Sequence, residues 1–350
     1  MNKLTKVGVT ALCGSLAGIA SANAGALEVG GDMNIGATWG QGPHDHNGNV
    51  LGFDKSITLS GSGELDNGYS WTYGWASVDD TIGSNALSTS NIVFNLDSMG
   101  SIAIKQSTGS KTGAWDDKMP TAWEESWFGL TGGPDKTGTA SSGTNLSWSS
   151  PADMLPYGIK IHAFYNPEVG AANSGSSSNA SSGVTATGAA TEWALEASPV
   201  DGLSLGVAYA EIEEKGATTT GALSDDKEEM VAFATYAMGG VTFGYGQSYE
   251  SLGTRSSGVA TVEAYENTMW GVSFAVNDNL SVSYGEFESE KDMNSSASVN
   301  VTMESEGFSV SYNLGGATLK IAHNELTNVN YLSTTGQSDE VTALELSLAF

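Results

Sequence analysis

From Val341 to Phe350 the chain alternates without a break, with Leu344, Leu346, Leu348 and Phe350 on one side of an extended strand and Glu345, Ser347 and Ala349 on the other. Successive side chains of a strand point to opposite faces, so this segment has one apolar face, one polar face and an aromatic at its end. A strand of that kind suits a wall between lipid and water. The same pattern recurs along most of the chain, which points to an all-β membrane pore rather than a soluble enzyme.

The first residues read as an export signal. Lys3 and Lys6 give a positive start, Val7 to Ile19 is apolar, and Ala22, Asn23 and Ala24 place small residues at the cleavage positions. Residues 1–24 are therefore expected to be removed, leaving a single unit over 25–350. A spanning helix needs about 20 apolar residues in a row, and no later segment approaches that. Any crossing must be made by strands. Cys13, the only cysteine, falls inside the signal, so the mature chain has no thiol for disulfides or thiolate metal sites.

The whole chain carries 13 basic and 40 acidic residues, a formal charge of −27. Losing Lys3 and Lys6 with the signal leaves 11 against 40, or −29. Such a surface repels nucleic acid and attracts cations.

Alternation predicts strands at 27–39, 51–64, 69–78, 87–96, 100–107, 143–149, 156–166 and 191–198. It predicts eight more at 202–213, 228–237, 240–250, 264–276, 279–290, 300–313, 316–328 and 339–350. Sixteen is an even number, and the connections alternate between tight turns such as Asp66-Asn67-Gly68 and Gly239-Gly240 and long loops such as 40–50, 167–190 and 251–263. Every long loop follows an odd-numbered strand. Short turns on one rim and long loops on the other define an antiparallel transmembrane barrel with turns toward the periplasm and loops outside. Closure pairs every backbone amide and carbonyl, which lipid cannot do. Sixteen strands also leave a middle too wide for side chains to fill, hence an aqueous channel.

The outward sets include Ile102 and Ile104; Leu203, Leu205, Val207 and Tyr209; Trp270, Val272 and Phe274; and Phe308, Val310 and Tyr312. Trp71, Tyr73 and Trp75 share one face and suit either the bilayer interface or packing against a neighbouring subunit.

The third long loop, 108–142, is the longest connection and the richest in charge and tryptophan. A loop of this length is uncommon in a compact unit unless it has a function. Folded inward, it lets Trp115, Trp123 and Trp127 pack on the wall while Asp116, Asp117, Glu124 and Glu125, with Lys118 among them, narrow the channel. Lys105, Lys160 and Lys320 share the lumen-facing register and are expected across from those acids, setting up a transverse field that favours polar solutes.

At Asp117-Lys118-Met119-Pro120-Thr121-Ala122-Trp123-Glu124-Glu125 the sequence resembles the trimeric general porins of Gram-negative bacteria, most of all the outer-membrane porins of alphaproteobacteria. The likeness covers the mature chain in layout, including the signal, the aromatic last residue and the acidic, proline-containing third loop. It implies an outer-membrane homotrimer for passive diffusion of ions and small hydrophilic solutes. The chain departs from better-known members in having one arginine, Arg255, placed in an outer loop, where they carry arginine clusters on the wall. Few cations against many carboxylates points to a preference for cations.

Two other readings are a substrate-selective channel and a barrel adhesin displaying the Gly/Ser/Ala loop 170–190. An enzymatic barrel needs a nucleophile or water, a base and an orienting group at one rim. With four histidines and serines concentrated in runs such as Ser174 to Ser182, catalysis is not expected, nor is a cofactor. The acids Glu211, Glu213, Glu214, Asp225, Asp226, Glu228 and Glu229, and Glu286, Glu288, Glu290 and Asp292, suit weak divalent cations bridging to outer-membrane lipid head groups. His44 and His46 are a weaker metal candidate in an exposed loop.

Overall fold

The structure, a computed structural model, describes residues 24–41, 50–78, 86–130, 132–170, 187–214, 222–256, 262–294, 298–334 and 336–349. Nearly all of the expected signal, with Cys13, lies outside them, as do His44, His46 and most of the loop 170–190.

Sixteen strands close into one antiparallel barrel, each bonded to its neighbours in chain order. The first half of the wall is β1 (Ala24–Gln41), β2 (Leu51–Glu64), β3 (Ser70–Val78), β4 (Ala86–Asn95), β5 (Ser101–Gln106), β6 (Thr144–Ser149), β7 (Lys160–Asn166) and β8 (Thr187–Ala197). Next come β9 (Leu203–Glu214), β10 (Ala222–Ser224), β11 (Lys227–Met238), β12 (Val241–Ser251), β13 (Thr254–Ser256) and β14 (Val262–Ala275). The chain ends with β15 (Leu280–Met293), β16 (Val301–Asn313), β17 (Thr318–Thr327) and β18 (Ser338–Ala349). β1 and β18 close the ring, pairing from Asp32 with Ala349 to Gln41 with Glu340. β10 and β13 stand apart as a small ribbon in which Leu223 pairs with Arg255. Three residues a side are too few for alternation to reveal them.

The sixteen expected strands are all present. The one at 156–166 starts late, at Lys160, because Pro156 opens a 3₁₀ turn in which Tyr157 has φ 62°. Proline has no amide hydrogen to give the ladder, and a positive φ breaks the extended run.

Register sets the two faces. Ile104 lies opposite Ile92 and Leu146, Val272 opposite Phe243 and Tyr284, and Phe308 opposite Tyr284, so apolar side chains form continuous outward belts. Trp193, Val207, Phe243 and Phe308 on this face are exposed, while the intervening Ala194, Ala208 and Ala210 are buried. That is a globular protein turned inside out, the arrangement expected when the outer solvent is hydrocarbon. Among the described residues no helix is long and apolar enough to cross a membrane.

Candidate functional site

The loop between β5 and β6 does fold inward, and side chains of the inner wall hold its backbone. Its first limb opens with a helical turn, Thr112–Trp115, seated over two glutamates. The amides of Lys111 and Thr112 donate to Glu192 Oε1 and Oε2 at 2.6 and 2.8 Å. Thr112 Oγ1 lies 2.8 Å from Glu192 and 2.9 Å from Glu229, whose other oxygen accepts from the amide of Thr139 at 2.7 Å. These carboxylates are fully buried at 0–1% exposure, so without the loop's amides they would face a large desolvation cost. Trp115, also buried, sits edge-on to Phe233 with ring centres 5.2 Å apart.

Further along, small wall residues make room for the loop. A Cβ added at Gly244 would lie 2.5 Å from Pro120 Cδ, and one at Gly307 would lie 2.6 Å from Ser126 Cα. The amide of Ala122 donates to Ser283 Oγ at 2.8 Å and that of Trp123 to Ser309 Oγ at 3.2 Å. Ser126 and Ser305 bond through their hydroxyls at 2.8 Å, and Asn324 Nδ2 donates to the carbonyl of Phe128 at 2.8 Å. Trp127 packs edge-on to Phe287, ring centres 4.7 Å apart. The returning limb is held where Asp135 N donates to Tyr331 Oη at 2.9 Å and Asn166 Nδ2 donates to the carbonyls of Ala140 and Ser142. The loop thus runs along the inner wall from β8 round to β18.

The acids expected at the narrowing do not share one environment. Asp116 is buried behind the loop, 3.8 Å from Lys136 Nζ, while Asp117 is half-exposed and 3.3 Å from the same ammonium. Burial, helped by the charge of Asp117, raises the Asp116 carboxyl to about 7 against the pull of Lys136. Glu124 and Glu125 are adjacent and half-buried; burial first, then the charge and hydrogen bond of Glu125, raises Glu124 to about 7. Lys118 is exposed, with Nζ 5.9 Å from the ring centre of Phe233.

The lysines are divided too. Lys105 shares its face with buried Ala103, and Lys160 shares its face with buried His162 and Phe164, so both point inward. Lys320 also points inward, but it is not across from the loop. Its Nζ lies 5.7 Å from the ring centre of Trp123 and 2.9 Å from Glu345 Oε1, so it supports the loop and is already neutralised. Periodicity assigns a face but cannot say which stretch of wall the loop will cover.

Sequence reading missed the anchors Glu192, Glu229, Ser283, Ser305, Ser309 and Asn324. A signal was present for the first: Glu192 occupies an inward position between inward Ala190 and Ala194, where a charge needs a partner. The acids of β15 and β16 lie on the outward face, where Tyr284 Oη lies 2.8 Å from Glu286 and 2.6 Å from Glu306, with one hydrogen to give to either. Among the described residues no group of three or more His, Asp or Glu is arranged to hold a metal ion.

A closed sixteen-stranded antiparallel barrel with a long loop folded against its inner wall is a porin-like fold. No family model matches the sequence, and no curated protein matches it. Solved structures do. A loop L8 deletion mutant of OmpT, an outer membrane protein of Vibrio cholerae, is similar at TM-score 0.66 and 11% identity over 93% of this chain and 99% of that one. OmpF of Salmonella typhi, in complex with daunomycin, is similar at TM-score 0.64 and 13% identity, covering 93% and 98%. An anion-selective porin from Comamonas acidovorans gives TM-score 0.63 and 13% identity, covering 93% and 99%. At such identities the likeness is one of fold.

Proposed function

We propose that the protein is an outer-membrane channel of a Gram-negative bacterium through which ions and small hydrophilic solutes diffuse passively, with a preference for cations. The observation that carries this reading is the loop 107–143 bonded along the inside of a closed sixteen-stranded barrel, a ring too wide for wall side chains alone to fill. Asp117, Lys118, Glu124 and Glu125 are the loop charges that line the narrowing, with Asp116 behind them and Lys105 and Lys160 on the wall. The formal charge of −27 supports the cation preference, and a solved anion-selective neighbour means that wall charge rather than fold must set the sign.

The remaining features fit the same reading. Residues 1–24 act as a cleaved export signal, which mass spectrometry of the mature amino terminus tests. The exposed outward belts meet outer-membrane lipid, and three copies associate as in similar porins, nearest in kind to those of alphaproteobacteria. No covalent chemistry is performed. The decisive experiment is reversal potential in a salt gradient across a planar bilayer. Purified protein should give large open steps, and replacing Asp116, Asp117, Glu124 and Glu125 by their amides should lower the cation to anion permeability ratio. An unchanged ratio would mean that the filter lies elsewhere.

A further inference from the structure

Where the loop leaves β5 and begins to follow the wall, a recess of about 250 Å³ remains between them. Ser110 and Lys111 line it from the loop side and Lys105, Ser147, Ser149, His162 and Glu192 from the wall. Its charge is out of keeping with the chain, which carries three acids for each base.

The ammonium groups of Lys105 and Lys111 have no carboxylate within 4.0 Å among the described residues, whereas Lys136 and Lys320 are both paired. The one carboxylate in the recess is already committed, since both oxygens of Glu192 accept from the loop at Lys111 and Thr112. Lys111 itself is pushed below the usual ammonium range, by burial first and, among its neighbours, by the charges of Lys105 and Lys118 against those of Glu196 and Glu192. An anion placed between these lysines would relieve that strain.

A second observation is independent of the lysines. His162 is 7% exposed, and its Nε2 has no hydrogen-bond partner; Glu196 Oε2 is 3.5 Å away. The other ring nitrogen, Nδ1, is 2.7 Å from Ser149 Oγ. With the hydroxyl donating to Nδ1, the neutral ring carries its hydrogen on Nε2, and a buried donor stands idle in the recess lining. Idle buried donors are costly and rare unless a ligand or ion completes them.

We propose that this recess is a binding subsite for a small oxyanion, inorganic phosphate or the phosphoryl or carboxylate end of a small solute. Lys105 and Lys111 supply the charge, His162 Nε2 a directed donor, and Ser147 and Ser110 further hydroxyls. Lys160, two residues from His162 on the same inward face, adds attraction at the entrance. The subsite deepens the channel reading on which it rests: a pore that favours cations in bulk would still detain and pass anionic nutrients at one place.

Two measurements keep the subsite and the channel apart. Titration calorimetry of the detergent-solubilised protein with inorganic phosphate reads the subsite alone. It should give saturable heat, with the dissociation constant raised about tenfold or more in Lys111→Gln, the loss of one charge-assisted hydrogen bond. The backbone amide, not the ammonium, anchors Lys111 to Glu192, so this variant keeps its loop seated. Lys55→Gln, on the outward face, should bind phosphate as the parent does. In bilayers at fixed potassium chloride, added phosphate should reduce current with the same rank order. Absence of saturable heat, or equal affinity in Lys111→Gln and the parent, would overturn the subsite. Absence of conductance steps alongside saturable heat would overturn the channel and leave the subsite standing.

Discussion

Two stretches of the inner wall obey the same alternation and have opposite surroundings. From β8 to β18 the inward positions mix small residues such as Gly244, Ser283 and Gly307, apolar ones such as Phe233 and Phe287, and the fully buried Glu192 and Glu229, and the loop lies on them. On β1 and β2 the inward positions include Asp32, Asn34, Asp54 and Ser56, half-exposed, with Asp32 accepting from Asn34 Nδ2 at 3.1 Å and from the Ser56 hydroxyl. Strand geometry creates both faces, but only one stretch is shaped to receive a second layer. A buried glutamate there costs little because loop amides complete it; the same residue on β1 needs no partner because water serves.

The largest effect should come from removing an anchor on the covered stretch. Glu192→Ala leaves the amides of Lys111, part-buried, and Thr112, fully buried, without acceptors, a cost of up to about 2–6 kcal/mol at about 1–3 for each orphaned donor. Thermal unfolding should shift down accordingly and the loop should become sensitive to protease from the lumen. Asp32→Asn, on the open stretch, should leave both unchanged. If the two variants behaved alike, the distinction between the stretches would be lost.

Next in size is steric exclusion. Gly244→Val puts a branched side chain where Pro120 already stands, and overpacking of this kind costs about 1–3 kcal/mol. Because the loop can yield inward where the barrel cannot, the variant should fold as a barrel with altered unitary conductance. Native conductance would show that Pro120 does not rest on this glycine.

The smallest expected effect sharpens the comparison through pH. Asp116 and Glu124, each raised to about 7, are protonated on the folded loop at pH 5 and ionised at pH 8. A carboxyl whose folded value lies above its unfolded value binds protons more tightly when folded, so loop seating weakens as pH rises from about 4 to about 7 and levels off above. Acidification from pH 8 to 5 should therefore hold the loop more firmly and also strip two negative charges from it. The cation to anion permeability ratio should fall on acidification, and this fall should shrink in a variant with Asp116 and Glu124 replaced by their amides. A ratio independent of pH would place both carboxyls away from the ion path.

Much of the fold was legible because alternation is a local property. Leu203 to Tyr209 and Phe308 to Tyr312 declare their faces within a few residues, and the sorting of turns from loops tells the two rims apart. The candidate site was legible only in outline. The loop's length and tryptophans foretold that it would fold inward, yet which carboxylates would meet the lumen depended on contacts between residues far apart in sequence. Asp116 turns behind the loop because Lys136 waits there, and Lys320 joins the loop's side because Trp123 and Glu345 flank it. The short turn Thr112–Trp115 and the ribbon of β10 and β13 carry no periodic signal at all.

The most direct test joins loop to wall. Ser126 and Ser305 face each other with hydroxyl oxygens 2.8 Å apart, close enough for a disulfide after slight adjustment, and the only natural cysteine, Cys13, belongs to the expected leader. Oxidising the Ser126→Cys, Ser305→Cys double variant should lock the pair in nearly every molecule while bilayer recordings keep the parent's open steps. Thiols that stay free, or a cross-linked barrel that passes no current, would contradict a conducting channel narrowed by a loop resting on its inner wall.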